Sequence, residues 1–248
     1  MTCLAPTVAA LLGMPAPAQA TGVPIPAIVQ ALRPAERVAV VAPDALGSAI
    51  VARWGEEMPF LTSLLGRQQV TLRAVMPTIT PVNFATMVTG APPEVHGIAA
   101  FTDDFACETL FDVVRAHGGQ SAGVGQKGYT GSELLGRFAD LWGRASSNTD
   151  DEVEAIALGF AAAEGPQFLI VQLGSTDDVF HRHGPSSPQV VPKLRETDER
   201  LARMAHGLAA LGYALIINAD HGQHDTGTGG SHGTSDDEDA LVPCTWVA

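Results

Sequence analysis

Short apolar runs rich in β-branched residues alternate along this chain with stretches of helical periodicity. Strands that are apolar along their whole length are typical of a parallel sheet covered by helices on both faces. We therefore predict a three-layer α/β/α fold with a mostly parallel central sheet, in a single domain over residues 1–248. The predicted strands are residues 37–42, 69–75, 121–125, 168–173, 213–218 and 241–247, and the predicted helices are residues 82–90, 107–119, 149–164 and 190–212.

The charge balance excludes some classes of partner. The formal net charge is −13, from 14 basic and 27 acidic residues. Nucleic-acid grooves and anionic membrane surfaces both need Lys and Arg, so we expect neither kind of partner. No stretch reaches the ~20 uninterrupted apolar residues that a membrane-spanning helix requires. An excess of carboxylates can instead hold cations, although most of these side chains will form a solvated surface.

The cysteines and the N-terminal segment bear on the compartment. The three cysteines are far apart in the sequence, so they predict neither a disulfide framework nor a CxxC metal site. Residues 4–20 are apolar and end in an A-x-A pattern, but the first basic residue of the chain is Arg33. A signal peptide has a basic segment before its apolar stretch. We therefore expect a reducing, cytoplasmic location.

An aspartate follows each of three predicted strands within a few residues. Asp44 follows the first strand, Asp177 follows residues 168–173, and Asp220 follows residues 213–218. Ligands of open α/β sheets bind at the carboxyl ends of the strands. If these strands are parallel neighbours, the carboxylates converge, and a cation is the natural reason to gather groups that repel each other. One such aspartate could be a helix cap, so the evidence lies in the three together.

Histidines accompany these aspartates. His181 lies four residues after Asp177, which places both side chains on one face of a helix. His221 is adjacent to Asp220, and His232 lies in a glycine-rich segment. Mixed Asp and His ligation suits zinc, and manganese is the alternative. Six ligands are enough for two divalent metal ions that share one substrate.

Thr80 is the candidate nucleophile. It precedes Pro81 and a helical run, which predicts Thr80 as the N-cap and Pro81 as the first helical residue. The free N–H groups of a helix N-terminus suit a phosphate group. Thr80 is therefore either the group that attacks phosphorus or only a helix cap, and this segment by itself does not decide between the two.

Several motifs, in order, resemble the alkaline phosphatase superfamily, and most closely its type I phosphodiesterase / nucleotide pyrophosphatase family. The segments are "PTITPVN" (77–83), "TG" (89–90), "PEVHGI" (93–98), "DDVFHRHGP" (177–185), "DHG" (220–222) and "HG" (232–233). The resemblance implies that Thr80 is the nucleophile. It also implies one metal ion held by Asp177, His181 and His232, and a second held by Asp44, Asp220 and His221.

Other histidines and acids receive lesser roles. We predict that His96 and His183 shape the site without binding metal. His224, Asp225 and the acidic residues 235–239 are predicted to lie in loops.

The chain departs from the family pattern in three ways. The family has an asparagine for the phosphoryl oxygen twenty-one residues after the nucleophile, but that position here is Phe101, and Lys127 is a candidate replacement donor. Only eleven residues separate His221 from His232, so a cap domain is not expected there. Residues 5–26 resemble the usual C-terminal tail of the superfamily.

The displaced tail leads to a topological hypothesis, which is a circular permutation of the superfamily fold. It predicts that residues near 1–5 and 244–248 are neighbours, as chain termini commonly are.

These features together predict a two-metal hydrolase of small-molecule phosphate esters, of the phosphodiesterase or nucleotide pyrophosphatase type. Three alternatives stay open, namely a phosphomonoesterase, a phosphonate hydrolase and a non-catalytic metal-bearing module that binds a phosphorylated ligand. The sequence does not indicate the oligomeric state.

Overall fold

A central sheet of seven strands organises the computed structural model, which describes residues 1–147 and 149–247. The order across the sheet is β2-β9-β6-β1-β5-β3-β4, and β7 pairs with β8 in a separate ribbon. The strands are β1 (Val38–Pro43), β2 (Val70–Arg73), β3 (Ser121–Gln126), β4 (Leu141–Ala145), β5 (Phe168–Leu173), β6 (Ala214–Asn218), β7 (His224–Asp225), β8 (Gly230–Ser231) and β9 (Leu241–Val247).

Helices cover both faces of this sheet. In the described ranges they are α1 (Leu4–Leu12), α2 (Pro26–Leu32), α3 (Ser48–Trp54), α4 (Pro59–Leu65), α5 (Thr80–Thr89), α6 (Pro93–His96), α7 (Leu110–Ala116), α8 (Asp150–Ala163), α9 (Ser175–His183), α10 (Val191–Ala210) and α11 (Asp237–Ala240). Helices α8 and α10 pack together on one face, and α1, α5 and α7 form the other layer. The predicted three-layer α/β/α fold is confirmed. No helix in the described part of the chain is both long and apolar enough to cross a membrane.

The three strands that precede the aspartates are adjacent at the centre of the sheet. Strand β1 lies between β5 and β6 and is parallel to both, with Val41 opposite Val171 and Ile217. Every residue of β1 and β5 is buried, as expected for strands covered on both faces. Their carboxyl ends therefore meet at one edge of the sheet, as the sequence predicts.

The outer strands differ from this central group. Strand β9 is antiparallel to its neighbours β6 and β2, whereas the other pairings in the sheet are parallel. Strand β4 was not predicted from the sequence. It lies at the edge of the sheet, where Trp142 is 51% exposed and buried and exposed residues alternate. Such a short alternating run carries a weaker signal than a fully apolar one.

The first residues of the chain pack beside β9. The N-terminal ammonium of Met1 donates a hydrogen bond to the carbonyl of Arg73 at 2.7 Å. Arg73 in turn pairs with Leu241 at the start of β9. The permutation hypothesis places residues 1–5 beside residues 244–248, whereas this contact is with Arg73 of β2. The permutation stays a prediction, and Ala248 lies outside the described residues.

Candidate active site

The carboxylate of Asp44 is fixed at the end of β1 by its own backbone. Its N–H donates to the carbonyl of Leu173 at 3.0 Å, and its carbonyl accepts from the hydroxyl of Thr176 at 2.6 Å. Both partners lie on the segment that leads from β5 into α9, which carries Asp177 in its first turn. The same contacts therefore position two of the three aspartates.

The residue after Asp44 connects β1 to the third aspartate. Ala45 has a φ of +59°, which is uncommon for a residue with a side chain. This left-handed conformation directs its N–H to Oδ1 of Asp220, at 3.1 Å. Backbone strain of this kind persists only where surrounding contacts enforce it, and it is concentrated at functional sites.

The three candidate ligand histidines share one tautomer. The Nδ1 atoms of His181, His221 and His232 lie 3.0, 2.9 and 2.8 Å from the carbonyls of Gly230, Gly222 and Thr78, respectively. A carbonyl oxygen only accepts, so each Nδ1 carries the ring proton and each Nε2 presents a lone pair. Backbone contacts of this type orient metal-binding histidines in proteins.

The first trio consists of Asp177, His181 and His232. The Nε2 atoms of the two histidines are 3.2 Å apart. The carboxylate of Asp177 lies 3.4 Å from His181 Nε2 and 3.7 Å from His232 Nε2. Two lone pairs at this separation need a positive charge between them.

The second trio consists of Asp44, Asp220 and His221. The Nε2 atom of His221 lies 3.6 Å from Asp44 Oδ1 and 3.3 Å from Asp220 Oδ2. The ring of His221 stacks on that of His232, with centroids 4.1 Å apart, so the two trios are adjacent. The structure thus brings the six predicted residues to one place. The ligand atoms that lie within 4.8 Å of one another are those of Asp44, Asp220 and His221 and those of Asp177, His221 and His232. His181 adjoins the second group through Nε2 of His232.

The electrostatics of the cluster show whether cations fit. Oδ1 of Asp44 and Oδ2 of Asp220 are buried and have no hydrogen-bond partner within the described residues. Burial, followed by the charges of Asp220 and Asp177, raises the pKa of Asp44 well above its usual range. Burial raises the pKa of Asp220 to about 6.

The histidines show the complementary change. Burial is the main cause that lowers the pKa of both His221 and His232. These rings therefore stay neutral and do not compensate the carboxylates. Divalent cations would supply the missing charge and satisfy the free oxygens and nitrogens, so the side chains present fit a pair of metal ions.

Thr80 is the first residue of α5, and Ile79 occupies the N-cap position. The prediction that Thr80 is the cap was therefore wrong by one residue. The hydroxyl of Thr80 is half-buried and lies 3.1 Å from Nε2 of His221. It faces the candidate metal centre, which is the placement that a nucleophile needs.

Two buried residues that the sequence analysis did not single out hold the loop before Thr80. Asn83 accepts from the N–H of Val75 at 2.8 Å, and its amide donates to the carbonyls of Val75 and Ile79, both at 3.2 Å. The sequence offered two signals for this residue: asparagine is a poor helix former in the interior of α5, and Asn83 ends the segment "PTITPVN".

Thr78 links this loop to the segment that carries His232. Its hydroxyl donates to the carbonyl of Thr234 at 2.8 Å and accepts from the N–H of Gly233 at 3.0 Å. Its own carbonyl accepts from Nδ1 of His232. Thr78 therefore positions the loop before Thr80 and the ring of His232 together.

A cavity of about 330 Å³ adjoins Thr80. Phe101 lies on its wall and is 37% exposed, and Tyr129 lies there with its hydroxyl donating to Asp178 at 2.6 Å. Lys127 is exposed and is not among the described residues that line the cavity. Its role as a replacement donor stays a prediction. The lining residues are Asp44, Thr80, Pro81, Ala99, Ala100, Phe101, Gly128, Tyr129, Thr130, Gln172 and Asp177.

His96 is distinguished from the ligands by its hydrogen bonds. The N–H of Ile98 donates to Nδ1 of His96 at 3.1 Å, so the proton lies on Nε2, which donates to Thr86 at 3.2 Å. Burial lowers the pKa of His96 to about 4, which keeps the ring neutral. Its contacts are those of a structural residue of the α5–α6 segment.

Two predicted loop residues have a defined structural role. Asp239 lies in α11 and is fully buried, and His224 lies in β7. Nδ1 of His224 donates to Asp239 at 2.8 Å, and the hydroxyl of Thr234 donates to the same carboxylate at 2.7 Å. The loop prediction was wrong for His224 and Asp225, which form β7, and for residues 237–239, which lie in α11; the partners that fix His224 and Asp239 are not their neighbours in the sequence.

Solved structures define the class of fold. A phosphonoacetate hydrolase from Sinorhizobium meliloti in complex with phosphonoformate superposes with a TM-score of 0.61 at 20% identity, over 75% of this chain and 56% of that one. Murine ectonucleotide pyrophosphatase / phosphodiesterase 5 gives a TM-score of 0.62 at 20% identity, over 76% and 57%. The fold is therefore that of the alkaline-phosphatase-like hydrolases.

The sequence profile of the type I phosphodiesterase / nucleotide pyrophosphatase family matches residues 38–118 and 119–237, and the chain belongs to this family. Ectonucleotide pyrophosphatase/phosphodiesterase family member 1 of Rattus norvegicus is 27% identical in an alignment 210 positions long that covers 72% of this chain and 23% of that protein. The venom phosphodiesterase of Naja atra is 28% identical in an alignment 208 positions long that covers 72% of this chain and 25% of that protein. The chain thus spans about a quarter of the length of these relatives.

Proposed function

We propose that this protein is a two-metal hydrolase of phosphate esters in which Thr80 is the nucleophile. One observation carries the proposal. Three histidines with their Nε2 lone pairs turned inward meet three carboxylates, of which Asp44 and Asp220 are buried, beside the hydroxyl of Thr80. No purely structural role accounts for so many unneutralised ligand atoms in one place.

Each metal ion has its own set of ligands in this proposal. Asp177, His181 and His232 would hold one ion, and Asp44, Asp220 and His221 would hold the other. When bound, the two cations would supply positive charge for the oxygens of the phosphoryl group. Zinc suits this ligand set best, and manganese is the alternative.

The residues of the chain then carry out a double displacement. The Oγ atom of Thr80 gives up its proton and forms a bond to phosphorus while the bond from phosphorus to the ester oxygen breaks, and that departing oxygen takes up a proton to leave as the alcohol. Water then attacks phosphorus and the bond from phosphorus to Oγ breaks; one proton of the water restores the threonine hydroxyl and the water oxygen leaves on the phosphoryl product. Contacts from Asn83 and Thr78 hold the loop that aims Thr80 during both steps.

The cavity beside Thr80 favours an ester with an apolar or aromatic group. Pro81, Ala99, Ala100 and Phe101 give it a carbon-rich wall, and Tyr129 adds an aromatic ring. Among similar proteins, murine ectonucleotide pyrophosphatase / phosphodiesterase 5 has been crystallised as an inactive threonine-to-alanine variant with AMP. We take a phosphodiester as the first candidate substrate, with a phosphomonoester and a phosphonate as alternatives.

A second candidate function is a non-catalytic module that binds a phosphorylated ligand. The observation that favours it is Phe101, which stands in the cavity where the family pattern has a hydrogen-bond donor. A site that binds phosphate but lacks this donor would stabilise a transition state less well.

Turnover of an aryl phosphodiester and an aryl phosphomonoester, each with and without added zinc or manganese, separates the two functions. We expect metal-dependent release of the aryl alcohol by the wild-type protein. Thr80→Ala should keep its metal content and lose turnover by a factor on the order of 10³ or more, and Thr80→Ser should retain part of it because it keeps the hydroxyl. Wild-type turnover in Thr80→Ala would exclude the covalent role, and metal-loaded protein without any turnover would favour the binding module.

A further inference from the structure

Gln172 connects the candidate metal centre to the interior of the sheet. It is the second-last residue of β5 and is 1% exposed. Its Nε2 donates to Oδ2 of Asp44, and its Oε1 accepts from the backbone N–H of Gly131. Both ends of the carboxamide are therefore engaged, and a flip of the amide would break both hydrogen bonds.

This arrangement decides which oxygen of Asp44 faces the metal position. Oδ2 is occupied by Gln172, whereas Oδ1 lies 3.6 Å from Nε2 of His221. Within the described residues Oδ1 accepts no hydrogen bond. A carboxylate held at one oxygen cannot rotate freely. Gln172 therefore keeps Oδ1 of Asp44 turned toward His221.

The glycine that donates to Gln172 packs tightly against it. A Cβ atom at Gly131 would lie 2.7 Å from Cβ of Gln172 and 2.7 Å from the carbonyl oxygen of Val124, so a side chain at position 131 would shift this contact. A second buried glutamine, Gln223, makes a longer contact of the same kind, from Nε2 to Oδ1 of Asp177 at 3.4 Å. Each trio thus has a glutamine amide on one of its carboxylates.

We propose that Gln172 is a positioning residue that orients Asp44 toward the second metal position and thereby sets the affinity for that ion. The inference rests on the metal centre proposed above and names a residue outside the ligand set. Neighbours that orient metal ligands commonly change metal affinity by about 10–100-fold when they are removed.

The test compares Gln172→Met with the matched control Gln167→Met. Methionine has a similar length and no amide, and Gln167 lies five positions earlier in the chain, about 16 Å away along an extended strand. Zinc affinity and stoichiometry are measured without substrate, by competition with a chromophoric chelator. Unfolding of the metal-free proteins by denaturant measures any general loss of stability.

For Gln172→Met we expect one of two zinc ions to bind about 10–100-fold more weakly, with saturating zinc restoring most turnover. Gln167→Met should bind both ions as the wild type does. Unchanged affinity in Gln172→Met, or an equal loss in both variants, would overturn the proposal. Wild-type protein that takes up no metal would instead refute the proposed function, so the two failures are distinguishable.

A milder variant covers the case in which Gln172→Met does not fold. Gln172→Asn keeps the amide and withdraws it by one carbon–carbon bond, about 1.5 Å. We expect a weaker second zinc site here too, and wild-type affinity in a folded Gln172→Asn would count against the proposal.

Discussion

The buried carboxylate of Asp220 makes the metal-free protein less stable than its packing allows. Asp220 is fully buried, and burial is the main cause that raises its pKa from an ordinary 3.8 to about 6. The native state therefore binds this proton more tightly than the unfolded chain does. The stability that protonated Asp220 provides is complete below about pH 4 and is lost as the pH rises to about 6.

The expected magnitude follows from that shift. A rise in pKa from 3.8 to about 6, at about 1.4 kcal/mol per unit, corresponds to about 3 kcal/mol. Asp220→Asn removes the charge and keeps an oxygen that can accept from the N–H of Ala45. Without metal at about pH 8, we expect this variant to be more stable than the wild type by up to about 3 kcal/mol.

Denaturant unfolding of chelator-treated protein at about pH 8 and about pH 4 is the assay. The difference should disappear at the lower pH, and added zinc should reverse the order because the variant lacks a ligand. Asp225→Asn, which changes an exposed carboxylate in the same segment, is the control and should stay within about 0.5 kcal/mol of the wild type. A metal-free wild type at least as stable as Asp220→Asn at about pH 8 would refute the reasoning.

Three further substitutions test how the site is built. Phe101→Asn restores the asparagine that donates a hydrogen bond in the family pattern, and it should raise turnover of an aryl phosphodiester by about 10-fold or more. Unchanged turnover in metal-loaded protein would show that another group supplies this hydrogen bond. Asn83→Ala removes the hydrogen bonds to the loop before Thr80 and should lower the free energy of unfolding by about 2–3 kcal/mol in a denaturant titration. Turnover should fall as well, and full activity would exclude a positioning role for Asn83. Thr78→Val loses the contacts to Gly233 and Thr234, so zinc should bind about 10-fold or more weakly in chelator competition, and an unchanged zinc affinity would contradict this.

The sequence predicts the parts of the site that lie next to strong periodic signals. Asp44, Asp177 and Asp220 follow predominantly apolar strands within a few residues, and the carboxyl ends of such strands converge at one edge of a parallel sheet. The order of the strands could not be derived from these patterns. Their adjacency was a condition of the metal hypothesis, and the structure meets it.

The supporting residues could not be predicted because their partners are distant in the sequence. Gln172 looks like one polar residue in a buried strand, and its partner Asp44 is 128 residues away. His224 and Asp239 form a contact across a loop that has no periodic signal of its own. The predicted helix termini agree with the structure to within a few residues. For α5 this difference is one residue, because the N-cap is Ile79 and not Thr80.

The central claim is that two cations occupy this edge of the sheet, and a crystal structure of zinc-treated protein tests it most directly. Anomalous diffraction at the zinc absorption edge would locate each ion without reference to activity. The account predicts two peaks, one among Asp177, His181 and His232 and the other among Asp44, Asp220 and His221. Anomalous density confined to other parts of the surface, or no density at all from protein soaked in excess zinc, would contradict it.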